Sequence, residues 1–355
     1  MILQWFFKFF IRYRIPLVCV FISLWALQLR FERLEGRKLW NDEEYQIFQT
    51  AGPFKPVWQR HSYGDFTGYP GDYLLTYPFL KIYGESKNKW GLAIPHILAT
   101  MAGFYFLYLV GRRFFKTTAG YCVAFLVMCF NDELVFHSFE FRPYAVLPTL
   151  SLMVFYFTDR IMNDYERLSS LKRVAIGIFL AITILFHQYG IAMVGFSALF
   201  FFAGKLHHAN LKKEFLRYFK YYGIILLLTL PLWLWYLKPV LEVGGRVPFQ
   251  YIPNPMIDTV GFLKSVFGNL IGFKKLYILL AGVVIAFILP HRERLRQIGF
   301  FVLLIALPIE LILFSDLLGN YTFLQRQFIW VTPLFAILLG WCWDVLFSER
   351  KIFLR

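Results

Sequence analysis

The chain has 355 residues, 58% of them hydrophobic, 21% aromatic and 17% charged, and a formal net charge of +15. Soluble domains carry about 25% charged residues. The low share here, in short clusters between apolar blocks, excludes an ordinary soluble fold and makes membrane crossings the unit to count. The same clustering argues against nucleic acid as the partner of the positive charge, because basic helix ends held by anionic lipid account for it.

In chain order, the basic and aromatic opening MILQWFFKFFIRYR leads into an apolar run from Ile15 to Leu29 with no small-x-small cleavage site. It predicts a retained membrane helix rather than a cleaved leader. Helices are predicted at 11–29, 91–111, 117–136, 143–160, 170–187, 189–205, 219–237, 275–290, 297–315 and 326–346, about ten crossings in an all-α polytopic membrane protein. The uncharged run from Val174 to Gly204 would be roughly 46 Å long as one helix, so it is split at His187-Gln188-Tyr189-Gly190. Cys19, Cys122, Cys129 and Cys342 all fall in apolar blocks and read as small buried residues, not disulfides or metal ligands.

With the N-terminus inside, the cytoplasmic segments and adjoining helix ends hold 21 of the 37 Lys and Arg residues. The short outer loops 137–142, 187–190 and 316–326 hold only Arg142 and Arg326. The remainder lie in two long outer segments, 30–90 and 238–275, where the positive-inside rule does not apply. Within the first, GYPGDYLLTYPFLKIYG predicts a helix along the interface. The second predicts an ordered coil followed by a short helix. No repeat or separate soluble domain stands out, so residues 1–355 read as one transmembrane unit.

The acidic cluster Asp42-Glu43-Glu44 follows Trp40-Asn41 in the first outer segment. Carboxylates beside a membrane serve as a general base or bind a divalent metal, and adjacent acids raise one another's pKa. The same residues suit a solvated patch capping a helix, with Asn41 or Asp42 as the cap. In Glu140-Phe141-Arg142-Pro143-Tyr144, Pro143 suits a first helical turn. Arg142 there grips a lipid phosphate, pairs with Glu140, or snorkels to head groups. Arg326, the lone cation of its outer loop, is a phosphate partner or an interfacial anchor. His187 and Gln188 sit at the tip of the fifth and sixth helices, with a structural or a functional role. Glu310 lies inside an apolar helix, where an acid faces a cavity or a cation such as Arg326. Lys274, with Lys275, and Arg246 meet anionic lipid or merely end at the interface. His61, Asp65 and Asp72 add polar groups to the first segment without a zinc-ligand spacing. No P-loop, GxSxG or Rossmann fingerprint is present, so a cytosolic nucleotide-sugar or ATP enzyme is not supported.

Several of these pieces, in order, resemble the GT-C glycosyltransferases, in particular the bacterial branch related to protein O-mannosyltransferases and the aminoarabinose transferase of lipid A. They are Trp40 to Tyr45, Tyr73 to Pro78 with Lys81 to Gly84, Ile94-Pro95, Leu109 to Phe114, His137 to Tyr144, Tyr251 to Pro255, and Arg326 followed by Pro333. Two departures stand out. Tyr69-Pro70-Gly71-Asp72 replaces a frequent His-Pro-Pro, and Arg326-Gln327 replaces the usual Arg-Tyr. The resemblance implies a polyprenyl-phosphate sugar donor, a lipid, glycan or protein acceptor, and a site facing the periplasm from the bacterial inner membrane. It implies that Asp42 binds or deprotonates the acceptor hydroxyl, that Glu43 supports Asp42 or positions the acceptor, and that Arg142 and Arg326 meet the leaving phosphate. Glu44, His61, Tyr144, His187, Gln188, Lys274 and Glu310 are candidates for substrate contact. No metal ligand is assigned and no cofactor is required, although related branches use a divalent metal. A transporter or flippase for lipid-linked glycans is the alternative. Its usual paired broken helices and internal repeats are not found.

Overall fold

The computed structural model describes residues 2–39, 43, 44, 47, 70–84, 88–187, 189–205, 211–244, 282, 299, 304–309 and 325–353. Among these there is no strand. The helices are α1 (Ile2–Glu35), α2 (Pro70–Tyr83), α3 (Lys89–Phe114), α4 (Thr118–Phe130), α5 (Asp132–His137), α6 (Leu147–Asp164), α7 (Ser170–Ile182), α8 (Tyr189–Ala203), α9 (Leu211–Gly244) and α10 (Thr332–Phe353). Short 3₁₀ turns occupy Pro143–Ala145, Tyr165–Arg167, Thr183–Leu185 and Gln325–Val331. The chain is an all-α membrane protein. Three of its described helical stretches, Ile11–Glu35, Lys89–Phe114 and Phe328–Ser348, are long and apolar enough to cross a bilayer. The predicted crossings 275–290 and 297–315 lie outside the described residues, apart from positions 282, 299 and 304–309.

Local chemistry moves several predicted boundaries. The crossing predicted over 117–136 stops at Phe130 because Asn131 ends α4 and starts α5, its side chain accepting from the Leu134 N–H at 3.0 Å. The stretch predicted as 170–187 leaves the α-helical path at Ile182. A Cβ on Gly190 would lie 2.6 Å from the Thr183 carbonyl carbon, so only glycine lets α8 begin this close to the 3₁₀ turn. The stretch predicted as 219–237 is the middle of the 34-residue α9, whose first turns add Lys212, Lys213 and Glu214. The helix predicted over GYPGDYLLTYPFLKIYG is present as α2.

α6 runs through the interior, with Leu147, Leu152, Val154, Phe155 and Ile161 fully buried. It packs on α3, α8 and the 325–331 turn. The Phe155 ring meets Phe201 at 4.8 Å and Phe200 at 5.5 Å. Outward faces of α1, α3 and α9 expose Val20, Phe21, Leu24, Leu98, Tyr105, Ile224 and Leu227, as expected where the surrounding solvent is lipid.

The closest seam joins α4 to α10. A Cβ on Gly340 would meet the Gly120 carbonyl oxygen at 2.6 Å, and one on Gly120 would meet the Gly340 oxygen at 3.0 Å. Small residues let membrane helices approach at this distance. At the same end, buried Asp344 accepts from the Lys116 N–H at 2.9 Å and the Thr117 hydroxyl at 2.7 Å, tying α10 to the α3–α4 turn. Asp344→Ala is expected to remove about 3 kcal/mol, since a buried amide loses its acceptor. Thermal unfolding in detergent measures this, and an unchanged midpoint would mean that the tie contributes nothing.

Candidate functional site

The predicted polar residues that are described gather at the opposite end of the bundle. There the C-terminus of α1 and the N-termini of α3, α6 and α8 meet α5 and the 325–331 turn. Glu43 is 0% exposed. Its Oε2 accepts from Arg37 Nη2 at 2.7 Å, and its Oε1 accepts from the Phe141 N–H at 2.7 Å. Arg37 also donates to the Phe139 carbonyl at 3.3 Å and lies over the Phe139 ring. Glu43 thus binds the first outer segment to the strip that carries Arg142, with both oxygens occupied. Glu44 is exposed.

Behind Phe141 lies a second buried pair. His96 Nε2 is 3.3 Å from Asp72 Oδ1, joining α2 to α3, and the Phe141 ring stands edge-on to His96 at 5.6 Å. Asn88 starts α3 by accepting from Trp90 N and Gly91 N, which fixes the helix register that presents His96.

Arg142 has extended backbone, and Pro143 opens the 3₁₀ turn that follows it. Its side chain is only 5% exposed. Glu140 does not pair with Arg142. Its Oε2 bonds instead to His137 Nδ1, while His137 Nε2 lies 3.4 Å from Glu133. Burial opposes protonation of His137, but hydrogen bonds to Glu133 and Glu140 and their charges prevail and raise its pKa above the ordinary value. Tyr144 is buried between two imidazoles, its ring 5.9 Å from His137 and 6.2 Å from His187. His187 stacks on Tyr189 at 4.6 Å, and its Nδ1 accepts from the Tyr189 N–H at 3.3 Å. Complete burial, with the charge of Arg142, lowers the His187 pKa to about 3, so this imidazole is neutral.

The two histidines carry opposite linkage. His187 binds its proton far more readily unfolded, so its contribution to stability is intact above its ordinary pKa of 6.5 and is lost as pH falls toward 3. His137 contributes below its ordinary 6.5 and loses that contribution as pH rises through its raised folded value. The unfolding midpoint is therefore expected to fall between pH 6 and pH 4, with His187 accounting for up to about 1.4 kcal/mol per pH unit. The same scan on His187→Asn should show a shallower acid limb. An identical limb would remove His187 as its cause.

Arg326 lies in the Gln325–Val331 turn, followed by buried Phe328, Ile329 and Trp330. The Trp330 ring is 6.4 Å from Tyr189, which brings this turn against the His187 side of the site. Asp42, His61, Gln188, Lys274 and Glu310 lie outside the described residues. The sequence reading missed Arg37, His96 and the His137–Glu140 bond. The FEFRPY strip did contain Glu140, but nothing in the spacing distinguished a histidine partner from an arginine one.

The site's geometry also predicts the effect of Glu43→Gln. An amide keeps one acceptor for the Phe141 N–H but withdraws the charge from Arg37. The unfolding midpoint in detergent is expected to drop by the equivalent of about 1.5 kcal/mol, the value of one weakened charged hydrogen bond. An unchanged midpoint would show that Glu43 does not hold the first outer segment to this strip.

The family model of the dolichyl-phosphate-mannose-protein mannosyltransferases matches residues 70–235. No curated protein and no solved structure matches the chain. The matched stretch begins at the first residue of α2 and ends inside α9, and it contains Asp72, His96, His137, Glu140, Arg142, Tyr144 and His187. With the all-helical fold, this match supports a membrane glycosyltransferase of the GT-C type.

Proposed function

We propose that the chain moves a sugar from a polyprenyl-phosphate-linked donor to an acceptor hydroxyl, with inversion at the anomeric carbon. The observation that carries this reading is the meeting of Glu43, the Arg142 strip and His187 at one end of the helical bundle, within or against the stretch that matches the mannosyltransferase family. Asp42, one residue before the anchored Glu43, takes the acceptor's proton as its oxygen attacks the anomeric carbon. The bond from that carbon to the phosphate oxygen breaks, and its electron pair leaves with the lipid phosphate. Arg142 and Arg326 stabilise the growing negative charge there, where a low-dielectric surrounding makes fixed cations most effective. Neutral His187 lines the Arg142 side without adding charge, and Tyr144 packs against it. The two arginines supply the positive charge that this step needs.

The site end is proposed to face the periplasm and the other end the cytoplasm. Arg112, Arg113, Lys116, Arg160, Lys172, Arg173, Lys205, Lys212 and Lys213 cluster around the other end, in keeping with the positive-inside rule. Ten crossings, both termini inside, and the bacterial inner membrane complete this reading.

Membranes containing the full chain, given radiolabelled polyprenyl-phosphate sugars of several kinds, are expected to pass label to an acceptor only when the protein is present. Failure with every donor, together with movement of a lipid-linked glycan across reconstituted vesicles, would establish a transporter instead. Mass analysis of envelope glycans in a deletion strain identifies the acceptor.

A further inference from the structure

The first turn of α2 touches both sides of the candidate site. Pro70, Gly71 and Asp72 are all buried. A Cβ on Gly71 would lie 2.8 to 3.0 Å from three ring atoms of Phe186, the residue before His187. The Gly71 backbone is ordinary helix, so the path of the chain does not require glycine there. The close approach does, because the Phe186 ring fills the place of the missing side chain. Asp72 reaches the other side. Its Oδ1 holds His96 Nε2 at 3.3 Å, and the His96 ring stands edge-on to Phe141, the residue before Arg142. Farther along the same helix, Leu80 packs with Leu92 and Phe141, and Ile47 of the first outer segment lies against that cluster. Tyr83 ends the helix on Gly91 of α3, with no room for a Cβ between them.

Packing alone does not account for the Asp72–His96 pair. Both side chains are fully buried, and a well-packed apolar pair of similar volume is often at least as stable. What the polar pair adds is direction. Apolar burial is non-directional, whereas a hydrogen bond sets the plane of the imidazole, and the edge contact with Phe141 depends on that plane. Buried Thr76 donates its hydroxyl to the Asp72 carbonyl at 2.9 Å and holds this turn closed. We infer that the first turn of α2 positions the site. Gly71 sets where Phe186 carries His187, and Asp72, through His96 and Phe141, sets where the FEFRPY strip carries Arg142. Both are positioning residues, since each acts through another side chain. The effect on rate rests on the transfer reading above, and the effect on the placement of His187 does not.

The test uses the full-length protein, with transfer rates in membranes and histidine NMR of selectively labelled protein in detergent. The His187 resonances are assigned by their absence in His187→Asn. Gly71→Ala gains helix propensity, so a merely local effect would leave the fold as stable or more so. It is expected instead to shift the His187 resonances. It should also lower kcat about tenfold, within the range that a misplacement of about 1 Å produces, with KM changed less than about twofold. Adding Phe186→Ala removes the ring that the new methyl meets and should restore most of both. Asp72→Asn keeps an acceptor for His96 and should stay within about threefold of wild-type kcat, whereas Asp72→Leu keeps the volume, loses the bond and should fall about tenfold. Wild-type resonances and kcat in a folded Gly71→Ala overturn the positioning role. So does a double variant no better than the single one, or an Asp72→Leu as active as Asp72→Asn. If Gly71→Ala does not fold, Phe186→Ala alone approaches the same contact from its other side, and unchanged His187 resonances there overturn the role. If no donor gives transfer, the resonances decide. A shift in Gly71→Ala that Phe186→Ala reverses keeps the positioning role and removes the transfer reading. Unmoved resonances in a protein that does transfer sugar remove the positioning role alone.

Discussion

Replacing Asp42 by Asn is expected to lower sugar transfer by about two to four orders of magnitude, the range set by loss of a positioned general base. The substitution preserves shape and withdraws only the proton acceptor. The neighbouring acids are poor substitutes, for reasons of geometry. Glu43 has one oxygen on Arg37 and the other on the Phe141 amide, and moving it would orphan both. Glu44 is exposed, and its charge there is screened. The variant should therefore insert and unfold as wild type does while its initial rate collapses. Rates in membranes, normalised to protein content, measure this. Transfer within a fewfold of wild type would place the base elsewhere, and Glu44→Gln would be the next variant to assay.

Arg142→Met is expected to lower kcat by about two to three orders of magnitude, as removal of one donor from an anion-stabilising site does. It should change KM less, because charge on the phosphate grows as the bond to the sugar breaks. Arg142→Lys should recover only part of the loss, since a point charge lacks the guanidinium fork. A second readout separates this from general damage. The charge of Arg142 helps hold the His187 pKa down, after burial as the main cause. Without it the His187 pKa should rise, though not to the ordinary value, because the imidazole stays buried. Histidine NMR of selectively labelled protein reads the shift directly. An unchanged kcat with a raised His187 pKa would show that Arg142 shapes the site's field but does not meet the donor.

The legible parts of this molecule were those governed by the solvent around it. Apolar run length and clustered basic residues predicted helices where α3, α6, α8 and α10 stand, and the apolar residues at mixed spacing in GYPGDYLLTYPFLKIYG predicted α2. Asn131 was not legible as a break, because one polar residue between apolar blocks looks the same whether a helix passes through it or is capped by it. Partners were the least legible. Glu140 stood two residues from Arg142, and proximity in sequence suggested a pair, yet the carboxylate turns to His137 on the preceding helix. Arg30 entered the sequence reading only as one more cation near a helix end. Its burial is decided by α3 and α4, about 70 to 100 positions away, and no local pattern records that.

The Gly120–Gly340 seam has a consequence in time. Its two halves are 220 positions apart in the chain, so at a synthesis rate of about 5–20 residues per second α4 waits roughly 10–40 s for its partner. Throughout that interval the glycine face of α4 is open to lipid or to other nascent helices, and the 325–331 turn that closes the site does not yet exist. Packing of α10 on α4 is thus the event that brings the 325–331 turn against the candidate site.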